Sequence, residues 1–139
     1  MGVKHGSRFG SLHIAADQSR LVSRSGSVLV PELAARLGLE HELSGALAHL
    51  FRRRPRHDPG RVLVDLATTV IDGGDCVSDL RVLAEQPDLF GSVASDSTAT
   101  RLLYALGESE LMAIQGGAQT HARAGVGVGR AAGDDHARL

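Results

Sequence analysis

Two groups of side chains in this chain of 139 residues carry charge at spacings that chemistry can use. The first is the run Arg52-Arg53-Arg54-Pro55-Arg56-His57. Phosphate contact needs several cations close together, and each contact releases condensed counterions. The guanidinium fork also suits a phosphate because it binds it bidentately. Pro55 keeps the run out of a regular helix, so it reads as an exposed loop. Arg61 lies one turn into the next helix and extends the patch. The residues expected to touch nucleic acid are therefore Arg52, Arg53, Arg54, Arg56 and Arg61. A plainer reading competes: a solvated basic loop that favours the C-terminal dipole of the helix before it.

The second group is Asp65, Asp72, Asp75 and Asp79. Clustered carboxylates bind divalent metal. Here Asp72 and Asp75 flank Gly73-Gly74, where acids are ordinary turn and cap formers. Asp65 and Asp72 lie two turns apart, which suits a shared solvent face. No metal site and no catalytic residue is expected from them. Cys76 has no neighbouring His or Lys in sequence to activate it as a thiolate and reads as a partly buried structural cysteine. The seven His show no ligand spacing, and Glu40-His41-Glu42 lacks the His pair of a metalloprotease helix. Gly125-Val126-Gly127-Val128-Gly129-Arg130 imitates a phosphate-binding loop, but it follows no strand and opens no helix.

Composition bounds what can hold these residues. Aromatics are 3% with no Trp, so a core must be built from Leu, Val and Ala. The 17 glycines suggest that part of the chain stays unpacked. No apolar run approaches the roughly 18 residues of a membrane span, and the start MGVKHGSRFG has no signal-peptide core. One cysteine allows no internal disulfide, which suits a reducing, cytoplasmic setting. The net charge of −1 hides an asymmetry. Lys4 and nine Arg against Asp17, Glu32, Glu40, Glu42 and Asp58 leave residues 1–64 at +5, while five Arg against eleven acids leave residues 65–139 at −6. Such a split points to an anionic partner for the first half. Fourteen of the fifteen cations are Arg. That also fits GC-rich codon usage.

The chain divides into three parts: 1–27, 28–106 and 107–139. In the first, Leu12–Ala15 and Arg20–Ser23 flank a short polar loop, a pattern that fits an N-terminal β-hairpin. The second reads as a mainly α domain, a small bundle of about five short helices. Ser27 caps the first, with Leu29, Leu33 and Leu37 on its inner face and Gly38 as its stop. The second carries Leu39, Leu43, Leu47 and Leu50. Asp58-Pro59 starts the third, which buries Val62, Leu63, Leu66 and Val70 and ends at Gly73-Gly74. Ser78 caps the fourth, with Leu80 and Leu83, and Pro87 follows its end. Asp96 or Ser97 caps the fifth, through Leu102, Leu103 and Leu106. Helix, Gly-Gly turn, helix over 60–86 has the outline of a helix-turn-helix, but acids crowd the second helix start and would repel phosphate. A plain helical hairpin fits better. Residues 107–139 lose the periodicity, and their low hydrophobicity predicts a disordered tail or one loose helix.

Several motifs occur in order: VLVPELAARLGL, a basic loop, HDPG, GGDC and PDLFG followed by VASD. In that order they resemble the N-terminal region of bacterial group 1 DDE insertion-sequence transposases, over roughly residues 5–106. The resemblance implies a following ribonuclease-H-like domain in which two Asp and one Glu bind divalent metal, Mg²⁺, and cut DNA ends. None of Asp65, Asp72, Asp75 or Asp79 corresponds to those carboxylates. The tail does not continue the pattern and reads like an out-of-frame extension. The implication is a truncated transposase without its catalytic domain, or a remnant of one, and not an active enzyme; no cofactor is expected in this chain.

Two functions stay open. One is a transposase fragment that binds insertion-sequence ends, associates with itself, or contacts a full-length transposase subunit. The other is a small helical regulatory module that binds DNA or protein through the Arg loop. No membrane partner is expected.

Overall fold

A computed structural model of the chain describes residues 25–53, 55–117 and 119. Every regular element among them is helical. The expected hairpin falls on residues 1–24 and lies outside the described residues, as does most of the expected tail. The order is α1 (Leu29–Leu37), α2 (Leu39–Leu47), α3 (Pro59–Ile71), α4 (Leu80–Ala84), α5 (Pro87–Phe90) and α6 (Asp96–Ala105). A further helix, α7, spans residues 108–117. Short 3-10 turns, Ser25–Val28, Ala48–Leu50 and Val77–Asp79, precede α1, follow α2 and precede α4.

Local chemistry sets most of these boundaries. Gly38 takes a left-handed φ of 74° and its N–H reaches the carbonyls of Ala34 and Ala35. This is the αL stop a glycine makes without a Cβ penalty, and it lets α2 begin one residue after α1 ends. Asp58 caps α3 as expected, its carboxylate accepting from the Arg61 N–H at 3.1 Å, with Pro59 in the first turn. Other caps shift. Ser27 does not cap α1; its hydroxyl donates to the Asp72 carboxylate and ties the start of α1 to the end of α3. The α6 cap is Ser95, not Asp96 or Ser97, with its hydroxyl accepting from the Thr98 N–H at 3.4 Å. Ser78 sits inside the turn before α4, whose first flanking residue is Cys76. Pro87 does more than follow α4: it opens the four-residue helix α5.

The core is partly the expected one: Phe90, Ala94 and Ala99 join the expected leucines, whereas Leu103, expected to face inward, is exposed. Leu47, Val62, Leu80, Leu83, Phe90 and Leu102 are buried together with Ala94 and Ala99. A smaller cluster joins Ala34, Leu43 and Val64. Leu63 and Ile114 pack on both and join them. The expected tail thus begins with a helix whose Ile114 packs on the core. α3 forms the centre and lies closest on α2, where Gly60 crosses it. A Cβ on Gly60 would overlap the Glu40 carbonyl and the Ser44 hydroxyl.

The leucine row of α1 is the main correction. Leu29 and Leu33 are 53% and 57% exposed. The tight corner at Gly38 fixes which side of α1 meets the bundle, and that side carries Pro31, Glu32 and Ala34. Arg36 reaches back one turn to the buried Glu32 carboxylate at 2.8 Å. Val70 likewise points out, 67% exposed. The side chains buried in its place are Thr68 and Thr69, whose hydroxyls donate to the carbonyls of Val64 and Asp65 at 2.8 and 2.9 Å. Those bonds satisfy each hydroxyl inside its own helix, so a threonine enters the core at little cost. No described helix is long and apolar enough to cross a membrane.

Candidate functional site

The basic run forms the connection between the turn after α2 and the start of α3. The turn Ala48–Leu50 closes α2, and Phe51 then takes an extended backbone, φ −117° and ψ 120°. Arg52, Arg53 and Arg56 are exposed, Pro55 and His57 half-buried. Arg54 is not among the described residues. Arg52, Arg53 and Arg56 make no hydrogen bond or ion pair with another described residue, which leaves their charge toward solvent.

Arg61 behaves differently. It lies in the first turn of α3, as expected, but its side chain turns into the fold. Its Nη2 donates to the Phe90 carbonyl at 2.6 Å, and its Nε lies 3.9 Å from the Asp65 carboxylate. Arg61 thus links α3 to α5. The signal that distinguishes it is Asp65, four residues on, a spacing that pairs opposite charges on a helix.

Two clefts flank the loop. The larger, ≈ 510 Å³, runs between the loop and the start of α6. Arg56, His57 and Arg101 line it with the hydroxyl residues Ser92, Ser95 and Thr98, and Phe51, Pro55, Val93 and Leu102 supply apolar wall. No carboxylate is among its lining residues. The smaller, ≈ 250 Å³, holds Arg52 and Arg53 beside Asp58. Ser92, Thr98 and Arg101 drew no attention in the sequence, because they lie some forty residues from the run and only the fold brings them beside it.

The aspartates take separate structural parts. Asp65 is 1% exposed, not on a solvent face, because α3 presents it to the Arg61 side. Asp72 accepts from Ser27. Asp75, Cys76 and Asp79 place one ligand atom each within 4.8 Å of one another. That turn is closed by its own bonds: Asp79 Oδ2 accepts from the N–H groups of Asp75 and Cys76 at 3.1 and 3.2 Å, and from the Cys76 thiol at 3.1 Å. The thiol bond, then the two backbone N–H bonds, hold the Asp79 carboxyl below its ordinary range. Cys76 itself is exposed, contrary to the partly buried cysteine expected, because the turn carries it outward before α4 begins.

One further titratable contact joins distant elements. His49, in the turn after α2, meets the Glu110 carboxylate of α7 at 2.8 Å. Glu110 also accepts from the Gly107 N–H and the Ser109 hydroxyl, both at 2.9 Å. These bonds, with the His49 contact first, lower its carboxyl to about 2.

The sequence model of the family described as transposase DDE domain, group 1, matches residues 7–125. The match continues through α7, past the point near Leu106 where the motif pattern alone fades. Among curated proteins and solved structures, none matches the chain.

Proposed function

The chain belongs to the group 1 transposase DDE-domain family, and on that premise we propose that its part in transposition is to hold DNA through the loop between α2 and α3. The observation that carries this reading is the set of exposed guanidinium groups at Arg52, Arg53 and Arg56, which have no partner among the described residues. Arg54 belongs to the same run in sequence. The DNA of interest is an insertion-sequence end, and self-association or contact with a complete transposase subunit would bring two such loops onto one duplex. The region acts as the N-terminal part of a bacterial element's transposase, in the cytoplasm. It contributes contact rather than chemistry. Asp65, Asp72 and Asp79 are each engaged within the fold, which supports placing the metal-binding carboxylates, and their Mg²⁺, elsewhere.

A handful of phosphate contacts without base readout gives a Kd on the order of 10⁻⁴–10⁻⁶ M with a steep salt dependence. A gel-shift titration of duplex DNA at two salt concentrations tests it. Replacing Arg52, Arg53, Arg54 and Arg56 with Ala removes binding, and each lost contact takes roughly 0.9 off the slope of log K against log salt. A quadruple variant that binds as tightly as the parent shows the loop to be only a solvated helix end. In the same mixture with Mg²⁺ or Mn²⁺, the chain leaves an insertion-sequence end uncut. Nicking that is lost on Asp72→Ala or Asp75→Ala overturns the non-catalytic part.

A further inference from the structure

From the larger cleft we infer that the chain seats one unpaired nucleotide of a DNA strand, its phosphate between Arg56 and Arg101 and its base against Phe51. The inference rests on the DNA-holding reading above and goes past it, since a loop that only grips phosphates has no use for unpaired bases.

The cleft has the two halves a nucleotide needs. Its cationic half brings Arg56, from the loop, to the same space as Arg101, from the second turn of α6, with His57 beside them. Neither arginine is committed to a carboxylate or carbonyl among the described residues. The nearest acids in sequence are occupied elsewhere: Asp58 Oδ1 accepts from the Arg61 N–H at 3.1 Å and Asp96 Oδ1 from the Ser97 N–H at 2.6 Å. The lining itself carries two guanidinium groups and no carboxylate, although the second half of the chain is acidic overall. Ser95 and Thr98 add hydroxyls 3.0 Å apart, either of which donates. An anion with several acceptor oxygens suits such a wall.

The apolar half is formed by Phe51, Pro55, Val93 and Leu102. Phe51 and Val93 are partly buried against the core, which holds them in place. An aromatic ring fixed beside cations is the arrangement that stacks a base while its phosphate is gripped, and it tolerates any base because every base has a π-face. A base reaches Phe51 only after leaving its stack, which costs least where it is already unpaired. The favoured ligand is thus an end, a nick or a single strand.

The test uses the full chain and compares three probes: a blunt duplex, the same duplex with a two-nucleotide overhang, and inorganic phosphate alone. Fluorescence anisotropy gives the two DNA affinities, and chemical-shift changes report phosphate. The expected result is at least a fivefold preference for the overhang, lost in Phe51→Leu, as follows from removing one base–aromatic stack. Arg101→Ala weakens the overhang and inorganic phosphate together. It leaves the blunt duplex within about twofold, because Arg101 lies outside the basic run. Arg52→Ala with Arg53→Ala does the reverse, weakening both duplexes alike and keeping the preference. Thr98→Val repeats the test at the cleft wall without touching the core. No preference for the overhang, or a preference that survives Arg101→Ala and Phe51→Leu, overturns the nucleotide seat while the loop reading stands. Phosphate binding without any overhang preference shows an anion site with no place for a base, which also overturns it. Failure of every probe to bind removes both readings.

Discussion

Arg61 donates from Nη2 to the backbone carbonyl of Phe90 across 2.6 Å, a bond that joins the first turn of α3 to the last residue of α5. Phe90 is fully buried in the main core cluster, so its carbonyl has little access to water and needs a protein donor. The Asp65 carboxylate, buried four residues along α3, lies near the same guanidinium at 3.9 Å. Arg61→Ala therefore removes a charge-assisted hydrogen bond and leaves a buried carbonyl unsatisfied. The expected loss is about 1.5–3 kcal/mol, read as a shift of the urea midpoint at constant slope. DNA affinity per folded molecule stays that of the parent. A variant as stable as the parent but weaker on DNA would return Arg61 to the basic patch.

The crossing of α2 and α3 makes two glycines respond with opposite sign. At Gly60 a methyl overlaps the Glu40 carbonyl and the Ser44 hydroxyl, and backbone cannot move aside cheaply. Gly60→Ala is expected to cost about 1–3 kcal/mol, as overpacking does. At Gly45, inside α2, nothing lies within 4 Å of the added atom. Gly45→Ala should gain about 0.5–1 kcal/mol from helix propensity. Thermal unfolding of the two variants side by side decides it. Equal shifts of one sign would mean that the helices do not meet at Gly60.

Leucines of the first two helices separate in the same way. Leu47 is fully buried and Leu33 is 57% exposed. Leu47→Ala is expected to cost about 2–5 kcal/mol, whereas Leu33→Gln changes stability by about 0.5 kcal/mol or less. A large loss at Leu33, under dilute conditions where the chain is monomeric, would place it back in the core.

Why these two leucines differ also marks what could be read from residue order. The caps and stops that act through one or two residues were legible: Gly38 ending α1, Asp58-Pro59 starting α3, the Gly-Gly turn after it. So was the apolar stripe of α2, because its row Leu43–Leu47 really does face α3. The row Leu29–Leu33 has the same four-residue spacing, yet periodicity gives a face without saying which face the neighbours cover. The corner at Gly38 made that choice and turned the Ala34 side inward. Buried Thr68 and Thr69 escaped for a related reason, since their hydroxyls are satisfied within α3. The basic loop was legible as a run of charge. Its cleft was not, because Arg101, Ser92 and Thr98 reach Arg56 and Phe51 only through the packing of α6 on α3. The one local trace, the cap of α6, was read as Asp96 or Ser97, one or two residues past the Ser95 that makes it.

The contact between His49 and Glu110 gives the fold an acid-sensitive joint. Glu110 seats α7 on the end of α2 through His49, and the same carboxylate accepts from Gly107 and Ser109 at the start of α7. These donors favour the charged form and lower its carboxyl from the ordinary 4.5 to about 2. A group whose carboxyl is lowered on folding stabilises the fold above its unfolded value and loses that contribution as pH falls toward the folded one. The contribution of Glu110 is therefore complete above about pH 4.5 and disappears between about 4.5 and 2. Other carboxylates also titrate in acid, so the measurement is a difference. The urea midpoints of the parent and Glu110→Gln should stand apart at about pH 5, then converge as the pH drops further. The glutamine keeps the shape and removes the charge, so it should not unfold the chain. Midpoints that stay apart without change down to pH 3 would show that the carboxylate charge is not what holds α7 in place.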